Sequence, residues 1–100
     1  MILRTSYLKL TEDHQGERAR QRLAKALREG YAELPRVRGT EVALAADPAA
    51  KKGWDVAVHL RFDSEDAVAA WEQDPATRAL EEAVLEPAVA FSKVWSWELV

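Results

Sequence analysis

The chain has 100 residues, a size that fits one domain able to bury a modest core without disulfides or metal ions. Its net charge of -3 disfavours nucleic-acid binding, which normally needs a basic surface. It contains no cysteine, so disulfides and thiolate metal sites are excluded. No stretch approaches the roughly 20 apolar residues of a membrane span. We therefore expect a single cytoplasmic domain over residues 1–100 that binds neither nucleic acid nor membranes.

The first third of the chain predicts a strand followed by a helix. Residues 2–10 are rich in Ile, Leu, Thr and Tyr, which is typical of a strand. Residues 15–33 predict a helix, with Asp13 as its N-cap and Pro35 as its stop, because apolar residues recur there every three or four positions. The members of this apolar stripe are Ala19, Leu23, Leu27, Tyr31 and Leu34.

Two strands and a turn are predicted next. Residues 37–46 alternate apolar and polar side chains, and residues 47–53, with Pro, Lys and Gly, read as a turn. Residues 54–62 alternate cleanly, so that two sets of side chains lie on opposite faces of a half-buried strand. One face carries Val56, Val58, Leu60 and Phe62, and the other carries Asp55, Ala57, His59 and Arg61.

The last third predicts a helix in two pieces and a closing strand. Ser64 is the expected N-cap of the first piece, and Asp74 with Pro75 starts the second, since a Pro in the first turn loses no hydrogen bond. Pro87 should end the second piece. Residues 90–100 predict a strand with Trp95, Trp97 and Leu99 on one face, although its register stays open.

The element order β-α-β-β-α-β predicts an α+β, ferredoxin-like fold, a four-stranded antiparallel sheet with two helices on one face. The first strand has apolar side chains on both faces, so one apolar face would remain in water in a monomer. A second copy related by a two-fold axis would cover that face. We therefore expect a homodimer that pairs two sheets as an α/β barrel. The expected interface residues are Tyr7, His59, Trp95 and Trp97.

His59 has two interpretations. It could act as a general base oriented by Asp55, which lies four residues earlier on the same strand face. It could instead be an interfacial histidine that makes a hydrogen bond across the dimer.

Four stretches together resemble the stress-responsive dimeric α/β-barrel (Dabb) family. They are "LRTSYLKL", "LPRVRGTEVAL", "GWDVAVHLRFDSEDAVAAW" and "DPATRAL", which with the following helix and strand cover nearly the whole chain. The resemblance implies a ferredoxin-like monomer and a homodimeric barrel. It also implies a pocket between the sheet and the helices, where plant polyketide cyclases of this family use a histidine base and a tyrosine.

The resemblance places none of that cyclase set on this chain. The two motif histidines fall on Asp74 and Thr77, the tyrosine falls on Trp71, and a first-strand histidine falls on Arg4. A threonine hydroxyl cannot replace an imidazole as a base near neutral pH, and an indole has nothing to ionise. No catalytic residue is therefore assigned.

The implied pocket has an open and a closed interpretation. In the first, Arg4 holds a carboxylate and Thr77 donates a hydrogen bond to it, beside the flat wall of Trp71. In the second, Trp71 fills the space as core and Arg4 pairs with Asp74 or another acid. The residues that the resemblance places around this pocket are Arg4, Ser6, Leu8, Leu23, Leu27, Val58, Trp71, Thr77 and Leu80.

These observations favour a dimeric protein that is non-catalytic or binds a small apolar or carboxylate-bearing ligand. The alternative is a small-molecule enzyme of the polyketide cyclase or cofactor-free monooxygenase kind, acting through Arg4, His59, Trp71 or Thr77. No nucleotide-binding motif is present, so no cofactor is expected. The two histidines lie far apart and Glu81 reads as part of a solvated helix face, so no metal site is expected.

Overall fold

The computed structural model describes residues 1–100 and has the predicted β-α-β-β-α-β order with one additional short helix. The strands are β1 (Ile2–Leu10), β2 (Gly39–Leu44), β3 (Val56–Phe62) and β4 (Val89–Glu98). The helices are α1 (Glu17–Ala32), α2 (Pro48–Gly53), α3 (Glu65–Gln73) and α4 (Pro75–Leu80), and α4 runs into a π-helical turn (Glu81–Leu85).

The four strands form one antiparallel sheet in the order β2-β3-β1-β4, so the predicted ferredoxin-like fold is confirmed. Its register settles the question left open for the last strand, because Trp95 lies opposite Thr5 and Trp97 lies opposite Leu3. The two tryptophans therefore share a face with Leu3 and Tyr7, as their spacing indicated. Helices cover the other face.

Several predicted boundaries are wrong. Helix α1 begins after Gly16, and the predicted N-cap Asp13 lies in a short 3₁₀ turn before it. Residues 47–53 form helix α2 where a turn was expected, since the Asp47 side chain accepts a hydrogen bond of 2.7 Å from the backbone N–H of Ala50. Strands β2 and β3 each begin two residues later than predicted.

The Asp74–Pro75 step joins two helices, as predicted. The Asp74 carboxylate caps α4 by accepting a hydrogen bond of 2.9 Å from the N–H of Ala76. Its second oxygen lies 3.2 Å from the guanidinium of Arg36, in the loop after α1. The cap and the ion pair together hold this joint against the end of α1.

The core lies between the helices and the covered face of the sheet. Helix α1 contributes Leu23, Leu27 and Tyr31 from its apolar stripe, and α3 contributes Val68 and Trp71. The side chains of β1 and β3 that face these helices are mostly buried. They are Ile2, Leu8, Leu10, Val56, Val58, Leu60 and Phe62.

A buried carboxylate fixes the start of β3 to the end of β1. The Asp55 side chain accepts hydrogen bonds from the N–H of Leu10 at 2.9 Å and from the amide of Gln15 at 3.0 Å. Lys9 and Arg20 lie within 3.8 and 3.5 Å of it. Burial alone would raise the pKa of Asp55, but these hydrogen bonds and cations outweigh burial and hold that pKa below its usual range.

We predict that Asp55→Asn lowers the free energy of unfolding at pH 7 by about 1–3 kcal/mol, because it disrupts buried hydrogen bonds to a charged group. A carboxyl group whose pKa is depressed in the folded state stabilises the fold above its unfolded pKa. That stabilisation is lost as the pH falls through the lower, folded pKa. The variant should therefore lose less stability than the parent between pH 7 and pH 3 in urea titrations.

Asp63→Asn is the matched control, since Asp63 is exposed and pairs only with the exposed Arg38. We expect the control to change stability by less than about 0.5 kcal/mol. Equal stability of the Asp55→Asn variant and the parent at pH 7 would refute the anchoring role of Asp55.

Candidate functional site

A cavity of about 120 Å³ lies between the covered face of the sheet and the helical layer. It includes side chains from β1, β3, β4, α1 and the π-helical turn. Ser92 and Val94, which form its β4 side, are exposed, so the cavity reaches the surface along that strand. Its lining residues are Arg4, Ser6, Leu8, Tyr31, Val58, Glu81, Leu85, Ser92 and Val94.

Four of the nine residues expected around a ligand pocket, Arg4, Ser6, Leu8 and Val58, line this cavity. The other five lie in the helical layer and do not line it. They are Leu23, Leu27, Trp71, Thr77 and Leu80. These helical side chains do not surround a ligand pocket because the apolar stripe of a helix that faces the sheet fills the core.

Trp71 fills space that the open interpretation of the pocket assigned to a ligand. Its side chain is 2% exposed, with ring centroids 5.1 Å from Phe62 and 5.9 Å from Tyr31. The guanidinium carbon of Arg4 lies 5.3 Å from the centre of the indole, a cation–π contact. Trp71 therefore acts as a core side chain that packs behind Arg4 and Tyr31, two residues of the cavity wall.

Arg4 is already paired with an acid. Its Nη1 lies 3.0 Å from the Oε1 of Glu72 on α3. Asp74, the partner suggested by the sequence, instead pairs with Arg36. The charge of Arg4 is thus balanced within the chain, which weakens the expectation that it holds a ligand carboxylate.

Tyr31 and Glu81 form a hydrogen-bonded pair in the cavity wall. The Tyr31 hydroxyl donates to the Oε2 of Glu81 at 2.9 Å. Burial, followed by the charge of Glu81 and this hydrogen bond, raises the pKa of Tyr31 well above its usual value, against a smaller opposing effect of Arg4. Tyr31 therefore stays protonated at neutral pH and cannot serve as a base.

Sequence reasoning placed both members of this pair elsewhere. Tyr31 was counted as one residue of an apolar stripe, and Glu81 was assigned to a solvated helix face. The available signal was the single hydroxyl in a stripe otherwise made of Ala and Leu. A buried tyrosine usually needs a hydrogen-bond partner, and that partner had to come from another element.

Thr77, which the resemblance aligned with the cyclase base, is fully buried. Its hydroxyl has no hydrogen-bond partner in the chain, and neither has the indole N–H of Trp71. Thr77 does not line the cavity. Thr77 and Trp71 thus supply packing here.

The uncovered face of the sheet carries a row of aromatic side chains, which we call the open-face cluster: Tyr7, Trp54, Phe91 and Trp95. Neighbouring rings in it lie 5.8 to 6.1 Å apart. Trp97 lies on the same face and its indole donates to the Thr5 hydroxyl at 3.0 Å. Phe91, Trp95 and Trp97 are 60%, 48% and 54% exposed.

His59 also lies on the open face, opposite Thr5 on β1 and Glu41 on β2. Its Nε2 is buried and has no hydrogen-bond partner within the chain. The interpretation of His59 as a base oriented by Asp55 is wrong, because the Asp55 carboxylate is bound at the far end of the strand. Arg4 faces the helices, so the sheet separates it from His59.

No three His, Asp or Glu side chains come together in a way that could hold a metal ion. None of the helices combines the length and the apolar composition that a bilayer crossing requires.

The family model of the stress responsive A/B barrel domain, Dabb, matches residues 2–98. The chain belongs to the Dabb family. No curated protein sequence matches it. The family match agrees with the ferredoxin-like fold described above.

Solved structures share this fold at low sequence identity. A Dabb family protein from Mesorhizobium loti is 14% identical, with a TM-score of 0.81 over 99% of this chain and 96% of that one. A dimeric ferredoxin-like protein of unknown function from Thermobifida fusca is 21% identical, with a TM-score of 0.75 over 98% and 90%. The hydroxynitrile lyase of Passiflora edulis is 11% identical, with a TM-score of 0.79 over 99% and 93%.

We predict that Tyr31→Phe lowers the free energy of unfolding by about 1.5–3 kcal/mol, the usual contribution of a hydrogen bond to a charged group. Tyr7→Phe is the matched control, because the Tyr7 hydroxyl makes no hydrogen bond within the chain. It should change stability by no more than a few tenths of a kcal/mol. Thermal and urea unfolding measure both, and equal losses in the two variants would contradict a specific role of the Tyr31–Glu81 pair.

Proposed function

We propose that the protein is a homodimer that binds a small molecule in the cavity between its sheet and its helices, without the cyclase chemistry of its relatives. The observation that carries the proposal is the difference between the two faces of the sheet. One face bounds a cavity lined by both apolar and polar side chains, and the other presents exposed aromatic rings.

The dimer follows from the open face. Exposed aromatic patches of this kind on small proteins usually mark an interface, and tryptophan is enriched at interface centres. A two-fold axis lets one patch serve both partners. The fold neighbour from Thermobifida fusca is described as dimeric, which supports the same arrangement here. The unpartnered Nε2 of His59 also gains a possible acceptor or donor across such an interface.

We predict that Trp95→Ala or Trp97→Ala weakens the dimer by about 2 kcal/mol or more, roughly 30-fold in Kd. Light scattering at low micromolar concentration measures the mass. Val94→Ala is the matched control, because Val94 lies on the same strand but faces the helix side. An unchanged mass in both tryptophan variants would remove these residues from the interface.

Ligand binding follows from the size and the walls of the cavity. Small-molecule sites are mostly apolar concavities with a few polar groups that fix orientation. An apolar protein cavity of about 150 Å³ is known to bind benzene. At about 120 Å³ this cavity therefore suits a molecule of roughly one ring, and its opening along β4 gives a route of entry.

The absence of cyclase chemistry follows from the state of each polar group near the cavity. Tyr31 remains protonated, Arg4 is neutralised by Glu72, and the Thr77 hydroxyl is sealed in the core. Of the residues named for the enzymatic alternative, Arg4 and His59 lie on opposite faces of the sheet and cannot act at one site. The imidazole base that the resemblance implies has no counterpart in the cavity lining, which contains no histidine.

Cavity-blocking variants test the binding site. Val94→Phe places a ring at the β4 side of the cavity and should abolish the binding of benzene, measured by NMR titration. Ser96→Phe adds the same ring to the same strand face, two residues further on and outside the cavity, and should leave binding unchanged. Equal benzene affinity in the Val94→Phe variant and the parent would contradict the proposed site.

A further inference from the structure

We propose that the cavity selects a neutral, ring-sized molecule that carries a hydroxyl group, of the phenol class, and that this hydroxyl donates a hydrogen bond to Glu81. The inference rests on the proposed binding function and names the chemistry of its ligand. In this inference Glu81, which is not one of the cyclase positions named above, recognises the ligand.

Glu81 is the acid in the cavity wall that lacks a cation. It takes part in no ion pair within 4.0 Å, whereas Arg4, the only basic residue of the lining, is held by Glu72 at 3.0 Å. The Oε2 of Glu81 accepts the Tyr31 hydroxyl, and its Oε1 has no hydrogen bond within the chain. A carboxylate bordering a small cavity with one free oxygen favours a ligand that donates a hydrogen bond.

The charges around the cavity favour a neutral donor. A ligand carboxylate would meet Glu81 with the same sign, and the Arg4 charge that could offset this is already balanced. An ammonium group would be attracted by Glu81 but would lose its hydration in a space of only about 120 Å³, which is costly for a charge. A hydroxyl avoids both costs, because it donates a hydrogen bond without adding a charge.

The backbone conformation at Glu81 is unusual, and the unusual segment borders the cavity. Residues Glu81–Leu85 form a π-helical turn, closed by a hydrogen bond of 3.0 Å from the N–H of Glu86 to the carbonyl of Glu81. Such turns are rare and are found frequently at functional sites. Both ends of this turn, Glu81 and Leu85, line the cavity, one as its acid and the other as part of its apolar wall.

The remaining lining fits the body of such a ligand. Leu8, Val58, Leu85 and Val94 offer apolar contact to a ring. The hydroxyls of Ser6 and Ser92 can accept or donate where the ring carries a further polar group.

Calorimetric and NMR titrations of the whole protein with phenol, benzene, benzoate and benzylamine test the inference. We expect phenol to bind more tightly than the other three. Glu81→Gln should weaken phenol about tenfold, since a hydrogen bond to a charged acceptor is roughly twice as strong as a neutral one. It should leave benzene unchanged. Glu82→Gln, an exposed neighbour in the same turn, is the matched control and should change neither.

A second variant distinguishes a loss of recognition from a structural effect of the Glu81 substitution. Tyr31→Phe removes the competing donor but keeps the Glu81 charge, so phenol should bind at least as tightly as to the parent. The inference is overturned, and the proposed cavity stands, if benzene and phenol bind equally and Glu81→Gln alters neither. Tighter binding of benzoate or benzylamine than of phenol also overturns it. No binding of any of the four probes to the parent overturns both proposals.

Discussion

The two apolar faces of β1 are the constraint on which the rest of the structure depends. This strand is central in the sheet, and successive side chains along it point to opposite faces. Ile2 and Leu8 are buried under the helices, while Tyr7 lies with the aromatic rings of the open face. Two helices can cover only one face of a four-stranded sheet. The unpaired face and its rings therefore remain as a surface for a second copy.

The covered face shows how a family pocket can survive a change of chemistry. Trp71, which the resemblance aligned with a catalytic tyrosine, packs against Phe62. The space that remains lies nearer β4, and its polar wall is made by Tyr31 and Glu81. Packing residues thus lie behind one part of the cavity wall, and a hydrogen-bonded pair forms another part.

The fold was predictable because its signals are periodic and local. Alternation over residues 54–62 and the stripe from Leu23 to Tyr31 each specify one buried face, and the Asp74–Pro75 start is a helix signal that the structure confirms. The Asp47–Pro48 pair carries the same signal but was read as a turn, because the Lys and Gly that follow suggested a loop.

The site was less predictable, since it depends on contacts between elements distant in sequence. Nothing in the sequence around Arg4 indicates that Arg4 forms an ion pair with Glu72. Nothing around Glu81 indicates that Glu81 lies in a π-helical turn and accepts a hydrogen bond from Tyr31, 50 residues away. The pairing of Asp55 with the end of β1 was hidden for the same reason.

The four indole N–H groups allow the central claim, that the sheet separates a self-association face from a ligand cavity, to be tested in one NMR experiment. Assigned ¹⁵N–¹H spectra are recorded during dilution and during titration with phenol. We expect the signals of Trp95 and Trp97 to shift on dilution and not with phenol. The signal of Trp71, which packs against the cavity-lining Tyr31, should shift with phenol and not on dilution. The separation of the two faces would be contradicted if the Trp95 and Trp97 signals did not change on dilution. It would also be contradicted if they shifted with phenol while the Trp71 signal did not.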